Sequence, residues 1–230
     1  MANNGVKAWS YSRYSDYRQC PAKFKYKHID KLPDPAGPAA ARGTAIHAEA
    51  EAYLKAEKTP RKVPESLKRF ESFLKSWRSQ MAQAETEIVL GPKWGLLKGA
   101  KNSRLWFHPD AWLRAKLDVY APASTKSVVV ADWKTGKRRD DHVDQAALYG
   151  LTVLLSNKRL LEAVVHMLYV DQDRDNMLTL TVLRDEVPAL LERWNASIAP
   201  MFKDRKFAPK PGPLCGWCNF SKGRGGPCQN

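Results

Sequence analysis

Apolar residues recur every three or four positions in the first third of the chain, a spacing that predicts helices. Serines precede the stretch around Cys20, and Pro21 suits the first turn of a helix, so two short helices are predicted to meet there. Longer apolar stripes predict a helix over Ala39–Lys58 and another over Glu65–Met81. The front of the chain is therefore predicted to be helical.

The pattern changes after this helical region to short runs of β-branched and aromatic residues, which predict strands. The predicted strands are Glu85–Leu90, Trp112–Tyr120, Ser127–Trp133, Ala163–Val170 and Leu178–Leu183. Helical spacing returns in Val143–Ser156 and Pro188–Met201. We therefore expect an α/β fold with a central mixed sheet flanked by helices, in which the first group of strands is antiparallel.

The chain has 230 residues and a net charge of +14. That length favours one core, so we expect a single domain over residues 1–230. Residues 1–31 carry seven basic and two acidic side chains, and residues 201–230 carry six and one. Because the excess positive charge lies at the two ends, the basic terminal segments 1–31 and 203–230 are predicted to bind a polyanion, with nucleic acid the first choice.

The sequence contains neither a secretory signal pattern nor an apolar run of membrane-spanning length. It therefore favours a cytoplasmic protein, or one of the host cytoplasm if a phage encodes it, without membrane association. In such a reducing compartment, cysteines seldom form disulfides. Cys20 lies near one end, and Cys215, Cys218 and Cys228 near the other. Zinc, an iron–sulfur cluster and free thiols all remain open from this spacing.

Two acidic side chains and a lysine are predicted to meet at the ends of neighbouring strands. Side chains alternate along a strand, so Asp132 and Lys134 project from the same face. Asp118 lies near the end of the preceding strand, and a hairpin would bring it close to Asp132. Carboxylate oxygens suit a hard divalent cation, and a lysine can orient water or stabilise phosphoryl charge. The alternative is a solvated charge pair at a strand end that has no catalytic role.

Two further motifs flank these strands. His47 lies on a predicted helix one turn beyond Gly43, which permits close packing. Gln145 and Tyr149 are four residues apart and so share one face of the following helix. On its own, a histidine in such a helix is more often a structural residue than a metal ligand. Gln145 and Tyr149 could likewise serve only to pack the helix.

Taken together, Gly43-x-x-x-His47, Asp118, Asp132-x-Lys134 and Gln145-x-x-x-Tyr149 resemble the RecB-like branch of the PD-(D/E)XK nuclease superfamily. The opening stretch with Cys20-Pro21 is similar to the N-terminal signature of the same proteins. The resemblance covers about residue 9 to the end. It implies a restriction-endonuclease-like core, with a central mixed sheet flanked by helices.

The resemblance also implies a role for each matched residue. His47, Asp118, Asp132 and the Trp133 carbonyl would bind one or two Mg²⁺ or Mn²⁺ ions, and Lys134 would assist the attacking water. Gln145 and Tyr149 would position the scissile phosphate. A further acidic position in the first strand is Glu87.

The cysteines take part in the resemblance as well. CRISPR-associated RecB-like exonucleases and AddB-type nuclease domains use one early and three late cysteines for a [4Fe–4S] cluster, and this chain has a similar arrangement. Cys20, Cys215, Cys218 and Cys228 would then join the two ends. The stretch between Cys218 and Cys228 departs from that pattern, because it is longer and richer in glycine than the family suggests. Zn²⁺ is the alternative ligand.

The implied function is a metal-dependent exonuclease acting on DNA ends or single strands, in possible association with recombination or helicase proteins. The alternatives are a structure-selective endonuclease, a non-catalytic DNA-binding protein on a nuclease fold, and a zinc-stabilised RNA-binding protein. Interleaved basic and aromatic residues near the N-terminus also suit stacking on single-stranded DNA, although the same aromatic spacing is equally typical of helix packing.

Overall fold

A computed structural model describes residues 4–56, 62–98 and 104–230. Its α-helices are α1 (Tyr11–Gln19), α2 (Pro21–Phe24), α3 (Pro38–Lys55), α4 (Glu71–Ser79), α5 (His142–Ser156) and α6 (Val187–Lys203). Its strands are β1 (Gln83–Leu90), β2 (Leu113–Pro122), β3 (Ser127–Lys134), β4 (Glu162–Tyr169) and β5 (Met177–Leu183). Within these ranges, none of the helices combines the length and apolarity needed to span a bilayer.

The predicted strands are all present, with ends that agree to within two residues. The single helix predicted over Glu65–Met81 is wrong, because the segment forms a 3₁₀ helix, Glu65–Phe70, followed by α4. Phe70 has φ −105° and ψ 18°, which is outside helical geometry, and its side chain is buried at this junction. A tertiary contact thus overrides the helical spacing. Residues 57 and 58 of the first predicted long helix lie outside the described residues.

The strands form one five-stranded sheet in the order β1-β2-β3-β4-β5. Neighbouring strands are antiparallel except β3 and β4, which are parallel and are connected through α5. The predicted mixed sheet flanked by helices is therefore confirmed, as is its antiparallel first group of strands. The parallel pair matters for the site, because α5 begins soon after the end of β3.

Helices α3 and α4 contribute apolar side chains to the main core. Side chains from both helices pack with those of the 3₁₀ helix and of β1 to β4; the larger ones are Tyr53, Leu67, Phe70, Leu74, Trp77 and Trp133. Helix α5 is the most buried helix, and it contacts mainly β4 and β5. A Cβ on Gly150 would lie 2.5 Å from a methyl carbon of Val182. Glycine thus permits α5 to lie close against β5.

The chain divides into two compact units. We call Gly37–Leu191 the sheet unit, and the described parts of Met1–Ala36 and Glu192–Asn230 the terminal unit. The terminal unit has an aromatic core: the rings of Trp9, Tyr11 and Tyr14 surround Trp194, with centroids 5.4–6.3 Å from it. All four side chains are buried. Stacking of Trp9, Tyr11 and Tyr14 on single-stranded DNA is therefore wrong, since these rings are core residues.

The glycine-rich tail is held by one aromatic anchor and by backbone hydrogen bonds. Phe220 is buried and packs on Tyr26, with ring centroids 5.7 Å apart. The Cys228 amide donates to the Phe220 carbonyl at 2.9 Å. A Cβ on Gly226 would lie 2.2 Å from the Phe220 carbonyl carbon. The long glycine-rich spacing before Cys228 therefore folds into a tight turn that returns this cysteine to Phe220.

Candidate active site

Three carboxylates occupy successive positions across the sheet. The β1–β2 register pairs Ala84 with Val119 and Thr86 with Leu117, so Glu85 faces Asp118. The β2–β3 register pairs Val119 with Ala131, so Asp118 in turn faces Asp132. Residues opposite one another on neighbouring strands point to the same face of a sheet. The hairpin thus brings Asp118 to Asp132, as predicted.

Glu85 was missed in the sequence, where Glu87 was the acidic candidate in this strand. The structure leaves Glu87 exposed and outside the carboxylate row. Glu85 has φ +55°, a left-handed conformation that is strained for a residue with a side chain. Its carboxylate is paired with Lys116. The sequence signal for Glu85 is its register with Asp118, which only the pairing of β1 with β2 reveals.

His47 reaches the row from α3. Its Nδ1 lies 3.1 Å from Asp118 Oδ1, and the other carboxylate oxygen, Oδ2, accepts a 2.8 Å hydrogen bond from the Trp133 amide. A Cβ on Gly43 would lie 3.4 Å from the Thr135 hydroxyl oxygen, so the start of α3 runs close to the end of β3. Gly43 thus has the close-packing role that its position in the sequence indicated.

Asp132, Lys134, Gln145 and Tyr149 form one polar network. Lys134 Nζ lies 2.6 Å from Asp132 Oδ2 and donates to Gln145 Oε1 at 2.9 Å. Gln145 Nε2 donates to Asp132 Oδ1 at 3.3 Å and to the Tyr149 hydroxyl at 2.8 Å. Gln145 therefore connects the acid, the lysine and the Tyr149 hydroxyl by hydrogen bonds.

The electrostatics of this row follow from burial and crowded negative charge. Burial, together with the charge of Asp132, raises the pKa of Asp118 above its ordinary value, against the opposing effect of His47. Burial acts to lower the pKa of His47, but its hydrogen bond with Asp118 and the carboxylate charges outweigh this and raise the pKa. Burial and both aspartates raise the pKa of Tyr149 well above its ordinary value, so this phenol stays protonated.

These side chains line one open cleft of about 500 Å³. Among its lining residues are His47, Glu85, Lys116, Asp118, Asp132, Lys134, Gln145 and Tyr149. Within the described ranges, His47, Glu85 and Asp118 form the one group of three whose donor atoms all lie within 4.8 Å of each other. The Trp133 side chain is buried, and its amide holds Asp118. The cleft thus unites the six side chains predicted as catalytic with Glu85 and Lys116.

The four cysteines of the terminal unit line a separate cavity of about 290 Å³. Cys20 comes from the turn between α1 and α2, and the other three come from the tail. None of the four forms a disulfide. Within the described ranges, no three of the sulfurs lie within 4.8 Å of one another.

A buried histidine lies beside this network. His142 Nδ1 is 2.8 Å from the Tyr169 hydroxyl, and the two rings are stacked at 5.5 Å. Burial and the neighbouring charges of Lys134 and Arg139 lower the pKa of His142 to about 4. Protonation thus favours the unfolded chain, in which the pKa is about 6.5. The stability from this group is complete above pH 6.5 and is lost as the pH falls towards 4.

We expect His142→Gln to flatten the pH dependence of unfolding between pH 7 and 4.5. The loss of stability over that interval should shrink by about 2 kcal/mol, because glutamine does not titrate. Urea unfolding at both pH values measures this difference. His108→Gln is the control, since the His108 side chain is 44% exposed. An unchanged pH profile in His142→Gln would contradict the prediction.

One family of known proteins matches this chain, and solved structures align with it. The model of a family described as the PD-(D/E)XK nuclease superfamily matches residues 8–222. A solved structure from Eubacterium rectale, provisionally named an exonuclease, is similar over 94% of this chain and 88% of its own, with 14% identity and a TM-score of 0.51. An alkaline exonuclease from Laribacter hongkongensis aligns over 86% of this chain and 91% of its own, with 10% identity and a TM-score of 0.41. No curated protein sequence matches the chain.

Proposed function

Since the chain belongs to the PD-(D/E)XK nuclease superfamily, we propose that it is a divalent-metal-dependent deoxyribonuclease of the RecB-like branch, acting on DNA ends or single strands. The observation that carries the proposal is the row Glu85, Asp118 and Asp132 across three adjacent strands, with His47 and Lys134 beside it. A helicase or recombination protein is the proposed kind of partner.

The residues of the cleft fit Mg²⁺ or Mn²⁺. Carboxylate oxygens and an imidazole nitrogen are suitable donors, and His47, Glu85 and Asp118 already converge. The negative charges of Asp118 and Asp132 repel each other in a buried place, and a cation there would relieve that repulsion. We assign His47, Asp118, Asp132 and Glu85 as ligands, with the Trp133 carbonyl as a further one. The bound ion would polarise a phosphoryl oxygen and favour hydroxide over water.

Three other side chains of the cleft have roles in the proposed reaction. Lys134 presents an ammonium held by Asp132 and Gln145, so it can stabilise negative charge that develops on the phosphoryl oxygens. Gln145 spans from Lys134 to Asp132, and the protonated Tyr149 hydroxyl accepts from Gln145. We therefore propose that Gln145 and Tyr149 fix the acid and the lysine relative to each other, and that the scissile phosphate lies against Lys134.

A direct test uses end-labelled linear DNA and closed-circular DNA of the same sequence, each with Mg²⁺, Mn²⁺ or EDTA. An exonuclease degrades the linear DNA alone, and only with metal. Nicking or linearisation of the circle would favour an endonuclease. If neither DNA is cleaved with any metal, the nuclease proposal fails.

We further propose that Cys20, Cys215, Cys218 and Cys228 bind a [4Fe–4S] cluster. Their convergence on one cavity supports a shared ligand. Zinc and a [4Fe–4S] cluster both take four cysteine ligands, and the one early and three late cysteines of this chain resemble those of proteins that bind the cluster. The cluster would hold the tail against the first helices of the terminal unit.

Protein purified without oxygen is expected to be brown and to contain about four irons per chain. Cys20→Ser or Cys218→Ser should remove the iron and lower the melting temperature, because a ligand bound only by the folded state stabilises it. Leu214→Ala, at the same cavity, is the control and should keep the iron. A colourless protein containing one zinc would contradict the cluster.

A further inference from the structure

A second surface depression adjoins the active-site cleft in the sheet unit. It measures about 560 Å³ and is lined by Glu87, Arg104, Trp106, Phe107 and Lys116. Lys116 also lines the active-site cleft, where it is paired with Glu85. The two concavities therefore share the Lys116 side chain.

Strand β2 connects the depression to the carboxylates in a regular way. Arg114, Lys116 and Asp118 are alternate residues, so they project from one face at intervals of about 6.8 Å. The Arg114 guanidinium carbon lies 5.8 Å from the centre of the Trp106 ring. The row thus runs from Asp118, past Lys116, to a guanidinium stacked on an aromatic ring.

The chemistry of the depression matches an unpaired nucleotide. Phe107 is 71% exposed, which is unusual for a large aromatic side chain, and so its ring is accessible to a base. Arg104 is also exposed, and together with Lys116 it offers positive charge to phosphates. Glu87 opposes part of that charge, so the depression does not suit a polyanion bound by charge alone. A ring beside cations favours a base and its phosphate together.

Resting on the proposed nuclease function, we propose that Phe107, Arg104 and Lys116 form a subsite for unpaired nucleotides next to the scissile bond. Phe107 stacks on a base, while Arg104 and Lys116 contact the flanking phosphates. Trp106 lines the same depression and has the Arg114 guanidinium beside its ring. The substrate class is therefore single-stranded DNA, or a duplex end whose terminal nucleotides have separated.

The test measures binding, without metal, in an Asp132→Asn background, so its outcome does not depend on cleavage. Phe107→Ala should weaken binding of a 20-nucleotide thymidine strand about tenfold, as expected for the loss of one stacked base. Phe107→Trp should restore binding, and a closed duplex hairpin should change less than twofold. Leu161→Ala is the matched control, because Leu161 is an apolar side chain that is 49% exposed.

The phosphate contact has its own measurement. Arg104→Ala should reduce the slope of log affinity against log salt by about 0.7, the value for one phosphate of a single strand. Arg174→Ala, another exposed arginine, should leave the slope unchanged. Unchanged binding in Phe107→Ala, or equal weakening of single strand and duplex, would overturn the subsite. If binding responds as expected but the wild type cleaves no DNA, the nuclease proposal fails and the subsite stands.

Discussion

Asp132→Asn and Lys134→Met are each expected to lower the rate of DNA cleavage by about a thousandfold, as when a preorganised charge-stabilising group is lost. Asp132 is buried beside Asp118, and its two oxygens are held by Lys134 and Gln145. Asparagine keeps the shape but removes the charge that a cation needs. Methionine keeps much of the apolar stem of Lys134 but offers no ammonium to the phosphate.

DNA binding should survive these two changes, which separates chemistry from binding. Single-turnover cleavage and fluorescence anisotropy, both with saturating Mn²⁺, measure the two properties on one substrate. Asp185→Asn is the control for Asp132→Asn, because Asp185 is an exposed acid on the surface. Cleavage at the wild-type rate in either variant would remove that residue from the proposed site.

Glu85→Gln is expected to reduce cleavage by about a hundredfold, whereas Glu87→Gln should stay within about twofold at saturating DNA. The two glutamates are two residues apart on one strand, yet only Glu85 faces Asp118 and lies within ligand distance of it. The pair is therefore an internal control, since each variant removes one carboxylate from β1. Both variants should be compared at several Mg²⁺ concentrations.

The dependence on metal concentration distinguishes a ligand from a neighbour. If Glu85 binds the ion, Glu85→Gln should need more Mg²⁺ to reach half of its own maximal rate, while Glu87→Gln should follow the wild-type curve. The reverse result, with Glu87→Gln impaired and Glu85→Gln active, would contradict the placement of the two residues in the structure.

The sequence predicted the strands of the sheet unit well, because hydrophobic spacing reports which face of each strand is buried. It also predicted the meeting of Asp118 with Asp132, since a short turn joins their strands. It did not predict Glu85. A long connection that includes the residues outside the described ranges separates β1 from β2, so no turn fixes their register in the sequence. A pattern of alternating residues likewise does not reveal the left-handed backbone at Glu85.

The terminal unit illustrates a different limit of sequence reasoning. Basic and aromatic residues alternate near the N-terminus, and composition alone fits both DNA binding and packing. The structure shows packing, because Trp9 and Tyr14 contact Trp194, which lies some 180 positions later in the chain. Several lysines are also paired within the unit; Lys25, for example, lies 2.6 Å from Asp30. Net charge therefore overstates the positive charge available to a partner.

The terminal unit consists of two segments that are far apart in the sequence, so its two parts are synthesised at different times. The sheet unit is one continuous stretch, so all of it is synthesised before the tail. Trp9 and Cys20 must wait for Trp194 and Cys228, and at about 5–20 residues per second the delay for this second pair is about 10–40 s. During that interval the aromatic residues of the early segment lack their core. Nascent chains of this protein are thus expected to expose an apolar early segment that a chaperone can bind until Trp194 and Cys228 have been made.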